Sequence, residues 1–570
     1  MSEKPEHEKK QGREASIQSE DRVLLHQKVA YGLGVVSDHF ANVSIVYLFF
    51  LPFFNDFLKV PASIVTGALA LARLWDAISD PLVGSISDKW TSKFGRRKPF
   101  VITGAILTGL FYPVIWLASP DWNQSVVVAY LVGALLLFFT FYSVFSVPYE
   151  SLGTELTADY NERTNIFVVR SYMNQFGNIG LSWLFPLATW LALQPWVGGD
   201  INGVRLVSIL VAVIVISTGV LPGIFCKERY RKIAQEEQKK KKASFKEGFM
   251  DLLKNTQLMI VIGIICTYLL AIMSAGALGY YVNVYYIFDG DRFAGTVLGG
   301  VEGTLRVVYS LFAAYAIKRM ADKFDKHRLM SWCVITMLIS LVGLYFSLIP
   351  GRPLLALVTR PLWAIGEVGF WILIISMRAD VCDWDEYRTG RRREGIISAT
   401  TNWFTKSAMT LAAVLSGLLI QFAVGLDNKI EDETVLTRIE EKAQEQFEAM
   451  SEGERAGQKA EHNVFVRMFK AFPDDGSGRS LEMRVTDAMF YEGDVPEVTV
   501  HLLRSQMEQE VIMEQQDEGM LFRMRFFFVL PKFIALAIAY LLLQKYKLSH
   551  EKMMEIRAEL EERRGKAVAS

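Results

Sequence analysis

Residues 73–100 read RLWDAISDPLVGSISDKWTSKFGRRKPF and begin inside an apolar segment that is long enough to cross a lipid bilayer. Arg73, Asp76 and Asp80 lie within that segment, and a basic cluster follows at 93–98. Placing an ionisable side chain in hydrocarbon costs about 3 kcal/mol or more, so such residues usually mark functional sites. On a helical period the three charges share one stripe, which we expect to face a protein interior or a water-filled cavity.

The composition predicts a polytopic membrane protein. The chain has 570 residues, of which 51% are hydrophobic, and its mean hydropathy is +0.23 despite 61 acidic and 61 basic residues. The charges must therefore be segregated into loops and tails. Apolar segments of about 20 residues or more occur at twelve places, near 28–54, 62–86, 99–119, 126–148, 165–193, 204–225, 256–287, 292–318, 328–349, 353–378, 396–425 and 521–544.

A weak internal repeat divides the twelve segments into two halves. The sequence SDKWTSKFGRR after the second segment is echoed by ADKFDKHRL after the eighth. We therefore predict an all-α membrane protein with twelve transmembrane helices in two six-helix bundles. The even-numbered connections are rich in Lys and Arg, so the positive-inside rule places both termini in the cytoplasm. The expected location is the cytoplasmic (inner) membrane, as a multi-pass protein.

These patterns predict seven regions. They are a disordered cytoplasmic tail at 1–24, an N-terminal six-helix bundle at 25–226, a cytoplasmic linker at 227–250, helices 7 to 11 at 251–426, an acidic extracytoplasmic insertion at 427–519, helix 12 at 520–545 and a cytoplasmic tail at 546–570. The insertion has helical periodicity up to residue 470 and then strand-like stretches, which is typical of a small α+β unit. A lid, a docking surface and an insertion without a role are three open interpretations of it.

The pair Asp76 and Asp80 predicts a cation site. The two carboxylates lie one helical turn apart and offer the oxygen ligands that hard cations prefer. Their mutual repulsion also favours the uptake of a proton. Either property suits Na⁺ or H⁺. The alternative is that Arg73 and Arg170 neutralise the two acids as a packing device.

The stretch at 73–100, together with VPYESLGTELTADYNERT at 147–164 and ADVCDWDEYRTGRRREG at 379–395, resembles the glycoside–pentoside–hexuronide:cation symporter family of the major facilitator superfamily. The resemblance covers nearly all of 25–425 and the last helix. It implies a two-bundle transporter that couples the movement of a sugar or glycoside to Na⁺, Li⁺ or H⁺ by alternating access.

The resemblance also implies the cation-site residues. Asp76 and Asp80 match the family's paired carboxylates and would be the Na⁺ ligands of a sodium-coupled protein, and Ser79 matches a cation-site asparagine. Ser146 occupies the position of a further aspartate, so a third carboxylate is missing there. Glu150 either replaces that carboxylate or caps the helix end. The chain differs from the family pattern here, and the choice between Na⁺ and H⁺ stays open.

The predicted substrate site combines residues from four helices. Asp38 and His39 match the family's sugar-binding pair with the charge order inverted, and His39 is a ligand, a proton carrier or simply a satisfied core residue. Arg170 and Lys406 match the family's intramembrane cations. The complete predicted substrate-binding set is Asp38, His39, Glu150, Arg170, Asn174, Asn402 and Lys406. Trp363 and Trp403 either stack on a sugar ring or pack at the lipid interface.

The loop between the second and third helices predicts a conformational latch. Asp88 ends the second helix and Arg96 and Arg97 precede the third, and in the superfamily such loops tie neighbouring helices across the two bundles in one conformation. The acidic stretch 380–386 would be the counterpart in the second half. The alternative is that these charges only set orientation and contact lipid headgroups.

The leading interpretation is cation-coupled symport of a sugar or glycoside. Transport of a lysolipid or other amphiphile on the same fold and a transporter-like sensor that uses 427–519 are alternatives. An enzyme is not expected, because the sequence lacks a nucleophile elbow, a Walker motif and zinc-ligand spacing. The expected partners are the sugar, a monovalent cation and the bilayer, without nucleic acid and without a cofactor beyond the coupling ion. By family analogy we expect a monomer.

Overall fold

The computed structural model describes residues 23–90, 92–157, 160–194, 197, 199–228, 250–321, 323–390, 393–425, 433–449, 507, 511 and 518–569. The secondary structure of this described part is helical throughout. The strand-like stretches that the sequence predicts after residue 470 lie outside the described residues.

Six long helical segments form the N-terminal bundle. They are α1 (Leu25–Val43, continued by the π-helical turns Ser44–Phe49 and Pro52–Phe57), α2 (Ala62–Lys89), α3 (Lys98–Phe111), α4 (Gln124–Glu155), α5 (Tyr160–Ser182, continued by Leu184–Ala192) and α6 (Asp200–Phe225).

The C-terminal bundle follows the same plan. Its helices are α7 (Thr256–Gly276, continued by Leu278–Tyr281 and Val282–Ile287), α8 (Arg292–Ala321), α9 (Lys326–Ser347), α10 (Arg360–Thr389), α11 (Glu394–Leu418, continued by Leu419–Val424) and, after α12 (Glu433–Ala449) in the insertion, α13 (Glu518–Leu543). The chain ends with α14 (His550–Ala569).

Ten helices of the described part are long and apolar enough to cross a membrane. The two remaining long segments, α1 and α5, are not among these ten, and they carry the polar residues Asp38, His39, Arg170 and Asn174. Both nevertheless pack inside the N-terminal bundle, α1 against α5 and α6. A polar helix among apolar ones is tolerated where it lines a protein interior or a water-filled cavity.

Side-chain caps and small residues define the helix contacts. Asn123 accepts a hydrogen bond from the Ser125 amide at the start of α4, which satisfies one of the free N–H groups of the first turn.

A β-carbon on Gly417 would lie 2.6 Å from the carbonyl oxygen of Ala62. Glycine therefore allows α11 of one bundle to approach α2 of the other closely.

The two ends of the bundle differ in charge and in closure. We call the end with the connections at 90–97, 322–325 and 390–393 the basic end, and the opposite end the far end. Hydrogen bonds cross between the bundles in the far half at the pairs Ser63–Gln421, Trp183–Thr304 and Thr189–Thr296.

An ionic cluster closes the far end. Arg292 of α8 donates two hydrogen bonds to Asp56, at 3.0 and 3.1 Å, and one to Asp200 at 2.9 Å. Tyr280 and Tyr285 each donate a hydroxyl to Asp56 at 2.6 Å. Asp56 and Asp200 belong to the N-terminal bundle and the other three residues to the C-terminal bundle, so this cluster holds the two halves together.

The insertion and the C-terminal tail contain helices. In α12, Ile439 and Ala443 are buried, as the predicted periodicity requires. Helix α14 packs against α10 at the basic end. There Arg557 donates hydrogen bonds to Asp380 at 2.9 Å and to Asp383 at 3.1 Å. The tail that the sequence predicts at 546–570 is therefore helical over His550–Ala569.

Candidate functional site

The predicted acid pair, Asp76 and Asp80, lies at the centre of the site. A lysine of the C-terminal bundle forms ion pairs with both carboxylates. Lys406 Nζ of α11 lies 2.5 Å from Asp80 Oδ2 and 3.4 Å from Asp76 Oδ2 of α2. Asp76 is buried, whereas about half of the Lys406 side chain is exposed. The two carboxylates and the ammonium thus form one bridge between the bundles.

Two serine hydroxyls complete the surroundings of Asp76. Ser143 of α4 donates to Asp76 Oδ1 at 3.3 Å, and its oxygen lies 2.8 Å from that of Ser79. The predicted ligand Ser146 lies one turn further along α4 and is buried, but it makes no hydrogen bond to either carboxylate in the described structure. The structure therefore brings Ser79 to the pair and places Ser143, which the sequence reasoning missed, where Ser146 was expected.

A continuous polar chain joins Asp38 to the acid pair. Tyr142 donates its hydroxyl to Asp38 at 2.6 Å and accepts a hydrogen bond from the Asn42 amide at 3.2 Å. Arg73 donates to the Asn42 carbonyl oxygen at 2.5 Å, and its other Nη lies 3.9 Å from Asp76. Sequence reasoning missed Tyr142 and Asn42. Asp38 is thereby connected through three side chains to the predicted cation ligands.

A second ion pair lies on the same side of the bundle. Arg170 of α5 donates a hydrogen bond to Glu150 of α4, and its guanidinium also lies over the rings of Tyr31 and Tyr149, at 5.9 and 5.6 Å. Helix α4 continues to Glu155, so Glu150 does not cap its end. Because Arg170 is engaged with Glu150, it does not neutralise the acid pair as the packing alternative supposed.

Several buried polar atoms have no hydrogen-bond partner within the described part of the chain. Four of these thirteen atoms belong to predicted cation-site or substrate-site residues, namely His39 Nδ1, Asp80 Oδ1, Arg170 Nε and Asn174 Oδ1. An unsatisfied buried polar group costs about 1–3 kcal/mol. Such an arrangement suits a ligand that is rich in hydroxyl groups together with a cation at the free oxygen of Asp80.

Helix α11 contributes the exposed part of the site. Asn402, Trp403 and Lys406 are all exposed on it, and Asn402 precedes Lys406 by one turn. Trp363, in contrast, donates its indole N–H to Glu367 at 3.1 Å. Trp403 is exposed and its ring meets that of Phe404 edge-on, with ring centroids 5.0 Å apart, whereas Trp363 is engaged within its own helix.

The formal charges of this N-terminal centre do not balance. It contains four acids and three bases, namely Asp38, Asp76, Asp80, Glu150, Arg73, Arg170 and Lys406. The sum is −1 even though Lys406, which belongs to the other bundle, is counted among the bases. One additional monovalent cation would neutralise the centre. In the described residues no group of three or more His, Cys, Asp and Glu side chains lies together as a metal site, so the available ligands are two carboxylates and two hydroxyls.

The predicted latch residues come together at the basic end. Asp88 lies 3.1 Å from Arg97, and Glu155 of α4 lies 2.5 Å from Arg96 and 3.1 Å from Arg97. The Glu228 carboxylate accepts hydrogen bonds from the backbone amides of both arginines at 2.8 Å. All of these partners belong to the N-terminal half, so the contacts shown tie helices of one bundle and do not form the expected link across the bundles.

Comparisons with known proteins agree with this architecture. A family model described as MFS/sugar transport protein matches residues 30–441. A symporter of Synechocystis, itself uncharacterised, is 28% identical over 499 residues, with 73% of this chain and 89% of the relative covered. The isoprimeverose transporter of Lactiplantibacillus pentosus is 26% identical over 436 residues, with 75% of this chain and 86% of the relative covered.

A solved structure shows the same fold. The bacterial homologue of the human lysosomal transporter Spinster, in an inward-facing and unoccupied conformation, superposes with a TM-score of 0.55 at 11% identity and covers 92% of this chain and 98% of its own. The predicted all-α transporter fold and the family resemblance are thereby confirmed, and the chain is not an enzyme. The chain belongs to the MFS/sugar transport protein family.

Proposed function

We propose that this protein couples the movement of a sugar or glycoside to that of Na⁺ or H⁺, with Asp76 and Asp80 as the cation site. The observation that carries the proposal is the bridge from Lys406 to both carboxylates. A cation that binds these oxygens competes with the ammonium for them. Cation binding therefore weakens a contact between the bundles, which is what coupling of ion occupancy to conformation requires.

The sugar would bind beside the acid pair. Asp38, His39, Arg170 and Asn174 supply acceptors and fork-like donors for hydroxyl groups, and Asn402 and Trp403 line the exposed side. The hydrogen-bonded side chains of Tyr142, Asn42 and Arg73 connect Asp38, a proposed sugar ligand, to the cation ligands. Binding of the sugar would thus change the electrostatic field at the cation site, and binding of the cation would change the field at the sugar site.

The orientation follows from the charges of the connections. If the basic end is cytoplasmic, as the positive-inside rule predicts, the cluster around Arg292 closes the extracytoplasmic end. Outward opening would then require Arg292 to leave Asp56 and Asp200. The matched relatives are named as symporters and sugar carriers, so transport of a lysolipid and a sensor function are not favoured.

The test is ion-gradient-driven uptake in proteoliposomes. A panel of labelled mono- and oligosaccharides is offered under Na⁺ or H⁺ gradients to the native protein, Asp76→Asn and Asp80→Asn. Asp121→Asn is the matched control, because Asp121 lies in an exposed connection and accepts a hydrogen bond from Ser119. We expect one sugar to accumulate under one gradient, and both site variants to lose accumulation while the control keeps it. If no sugar accumulates, or if the site variants accumulate normally, the proposal fails.

A further inference from the structure

The chain that follows the last membrane helix folds back onto the C-terminal bundle. The backbone amide of Lys547 donates a hydrogen bond to Gln257 of α7 at 3.0 Å. The amide of His550, the first residue of α14, donates to Asp325 at 3.1 Å, and Asp325 directly precedes α9. These two contacts place the start of α14 at the basic end of this bundle.

Helix α14 is docked on α10 by an apolar face. Its residues Met553, Ile556 and Leu560 are only 3–4% exposed, and their spacing of three and four residues puts them on one side of the helix. The ammonium of Lys552 lies 5.1 Å from the centre of the Trp384 ring of α10. The segment that the sequence predicts as a tail is therefore a packed element of the structure.

Arg557 supplies the ionic part of this interface. Its guanidinium donates hydrogen bonds to Asp380 at 2.9 Å and to Asp383 at 3.1 Å. Asp380, which is 1% exposed, also accepts hydrogen bonds from Lys326 at 2.6 and 2.8 Å. Two cations thus hold one buried carboxylate, and both acids of α10 are engaged within the C-terminal half.

The N-terminal bundle holds the acid of its corresponding helix without a tail. Glu155, at the basic end of α4, pairs with Arg96 at 2.5 Å and with Arg97 at 3.1 Å. Both arginines belong to the connection that leads into α3. In the C-terminal bundle the start of α9 provides one lysine for Asp380, and α14 provides the second cation. The two halves therefore differ, because only the second depends on a docked helix.

This dependence bears on the predicted latch. When the far end opens, alternating access requires the basic end to close, which brings the basic connections of the N-terminal bundle towards α10. The acidic stretch 380–386 is the predicted counterpart of the latch in the second half. Cations that arrive from the other bundle must therefore compete with Arg557 for Asp380 and Asp383.

We propose that α14 is a regulatory helix, which holds the acids of α10 within the C-terminal bundle and thereby opposes closure of the basic end. Docked α14 favours the conformation described here, in which the cluster around Arg292 closes the far end. Undocked α14 releases Asp380 and Asp383 for contacts across the bundles. The inference rests on the proposed transport cycle only in that the two ends open in turn, and it holds for any substrate and coupling ion.

The test measures how readily the far end opens. Thr296 is buried, and its hydroxyl lies 2.8 Å from that of Thr189 in the other bundle. A cysteine introduced by Thr296→Cys should therefore react with a maleimide only after the bundles separate at this end. The full-length variant is purified in detergent micelles, and mass spectrometry follows the peptide that contains position 296. This readout is independent of the four native cysteines.

Two further substitutions undock α14 in different ways. Arg557→Gln removes the ion pairs, and Ile556→Asn places a polar group in the apolar face. Because an ion pair of this exposure contributes little, we expect each to raise the modification rate at position 296 by about threefold or more. Arg557→Lys, which keeps the charge, and Glu555→Gln, on the exposed face of α14, should leave the rate unchanged. Unchanged or lower rates in both Arg557→Gln and Ile556→Asn would overturn the inference.

Salt and thermal unfolding distinguish regulation from structural support. The Arg557 side chain is 47% exposed, so the rate difference caused by Arg557→Gln should shrink at about 1 M salt, where exposed ion pairs are screened. A lower Tm with an unchanged modification rate would make α14 a structural support only and would overturn the inference. Since no sugar or ion gradient is used, failure here leaves the symport proposal standing, and failure of the uptake test leaves this inference standing.

Discussion

The polar centres of the two bundles differ in sign and in how their charges are arranged. In the N-terminal centre, hydrogen bonds run without a break from Asp38 to Arg73, and the acids exceed the bases by one even with Lys406 included. The C-terminal bundle has a polar centre, the C-terminal centre, formed by Glu302, Arg306, Arg360, Glu367 and Lys532, whose formal charges sum to +1. There Glu302 pairs with Arg360 and Glu367 accepts hydrogen bonds from Tyr268 and Trp363, whereas Lys532 is buried and has no ion-pair partner among the described residues.

This difference suggests a division of labour between the halves of the fold. A surplus negative charge within a connected network favours a small cation whose binding is felt by the rest of the network. Lys406 links the two centres, because it belongs to the C-terminal bundle and binds the acids of the N-terminal one.

We expect the largest effect in the thermal stability of two variants of the C-terminal centre, Glu302→Gln and Lys532→Met. Glu302→Gln leaves Arg360 without its ionic partner and should lower the free energy of unfolding by about 3 kcal/mol. Lys532→Met removes an unpaired buried charge and should leave stability unchanged or higher. Thermal unfolding in detergent micelles measures both as shifts in Tm. Equal losses of Tm in the two variants would contradict the surplus of positive charge.

The next effect interrupts the network of the N-terminal centre. Tyr142→Phe removes the hydroxyl that joins Asp38 to Asn42, and a hydrogen bond to a charged group contributes about 1.5–3 kcal/mol. We therefore expect the cation to raise sugar affinity by a smaller factor in Tyr142→Phe than in the native protein. Tyr112→Phe is the control, because Tyr112 is another buried tyrosine and its hydroxyl lies 2.6 Å from that of Ser44, outside the network. Unchanged cation dependence in Tyr142→Phe would show that the network does not connect the sites.

A smaller effect concerns the link between the centres. Lys406→Gln removes the ammonium that competes with the cation, and an exposed ion pair of this kind contributes about 1 kcal/mol. The cation concentration for half-maximal uptake should therefore fall roughly fivefold, while Lys406→Arg keeps the charge and should stay near the native value. Weaker cation binding in Lys406→Gln would mean that the lysine supports the cation and does not compete with it.

The smallest effect lies outside both centres, at the basic end. Arg393 binds the Asp251 carboxylate and holds its pKa below the usual value. A lowered pKa in the folded state stabilises the protein above the unfolded pKa of about 3.9, and this contribution is lost as the pH falls through the folded pKa. Asp251→Asn should therefore lower Tm slightly at pH 7, and the difference should shrink as the pH falls below about 3.9. A difference that stays constant as the pH falls below this value would contradict this assignment.

The parts of the fold that follow from local sequence were predictable. Long apolar runs place the helices, and Asp76 and Asp80 are recognisable because i and i+4 neighbours on one helix share a face. The pairing of Glu302 with Arg360 joins α8 to α10 and cannot be read from spacing, because it depends on how the helices pack. Tyr142, Asn42 and Ser143 were missed for the same reason, since each matters only through a contact with another helix.

The sequence contained a usable signal for two residues that sequence reasoning missed, Ser143 and Lys532. Ser143 lies three residues before Ser146 and thus on the same face of α4, so both were equal candidates for a contact with α2. Lys532 is the one charged residue of the apolar stretch 526–543 in α13, and a charge in such a stretch is by itself a sign of function. The latch residues Asp88, Arg96 and Arg97 were recognised, but which helices they would tie depends on the conformation.

The central claim is that cation binding at Asp76 and Asp80 and sugar binding are thermodynamically linked. The most direct measurement is a calorimetric titration of the purified native protein with the sugar that accumulates in the uptake panel, at zero and at saturating cation. The account predicts that the cation raises sugar affinity about fivefold or more and that the sugar raises cation affinity by the same factor, with both effects absent in Asp76→Asn. A sugar affinity that is identical with and without the cation would contradict it.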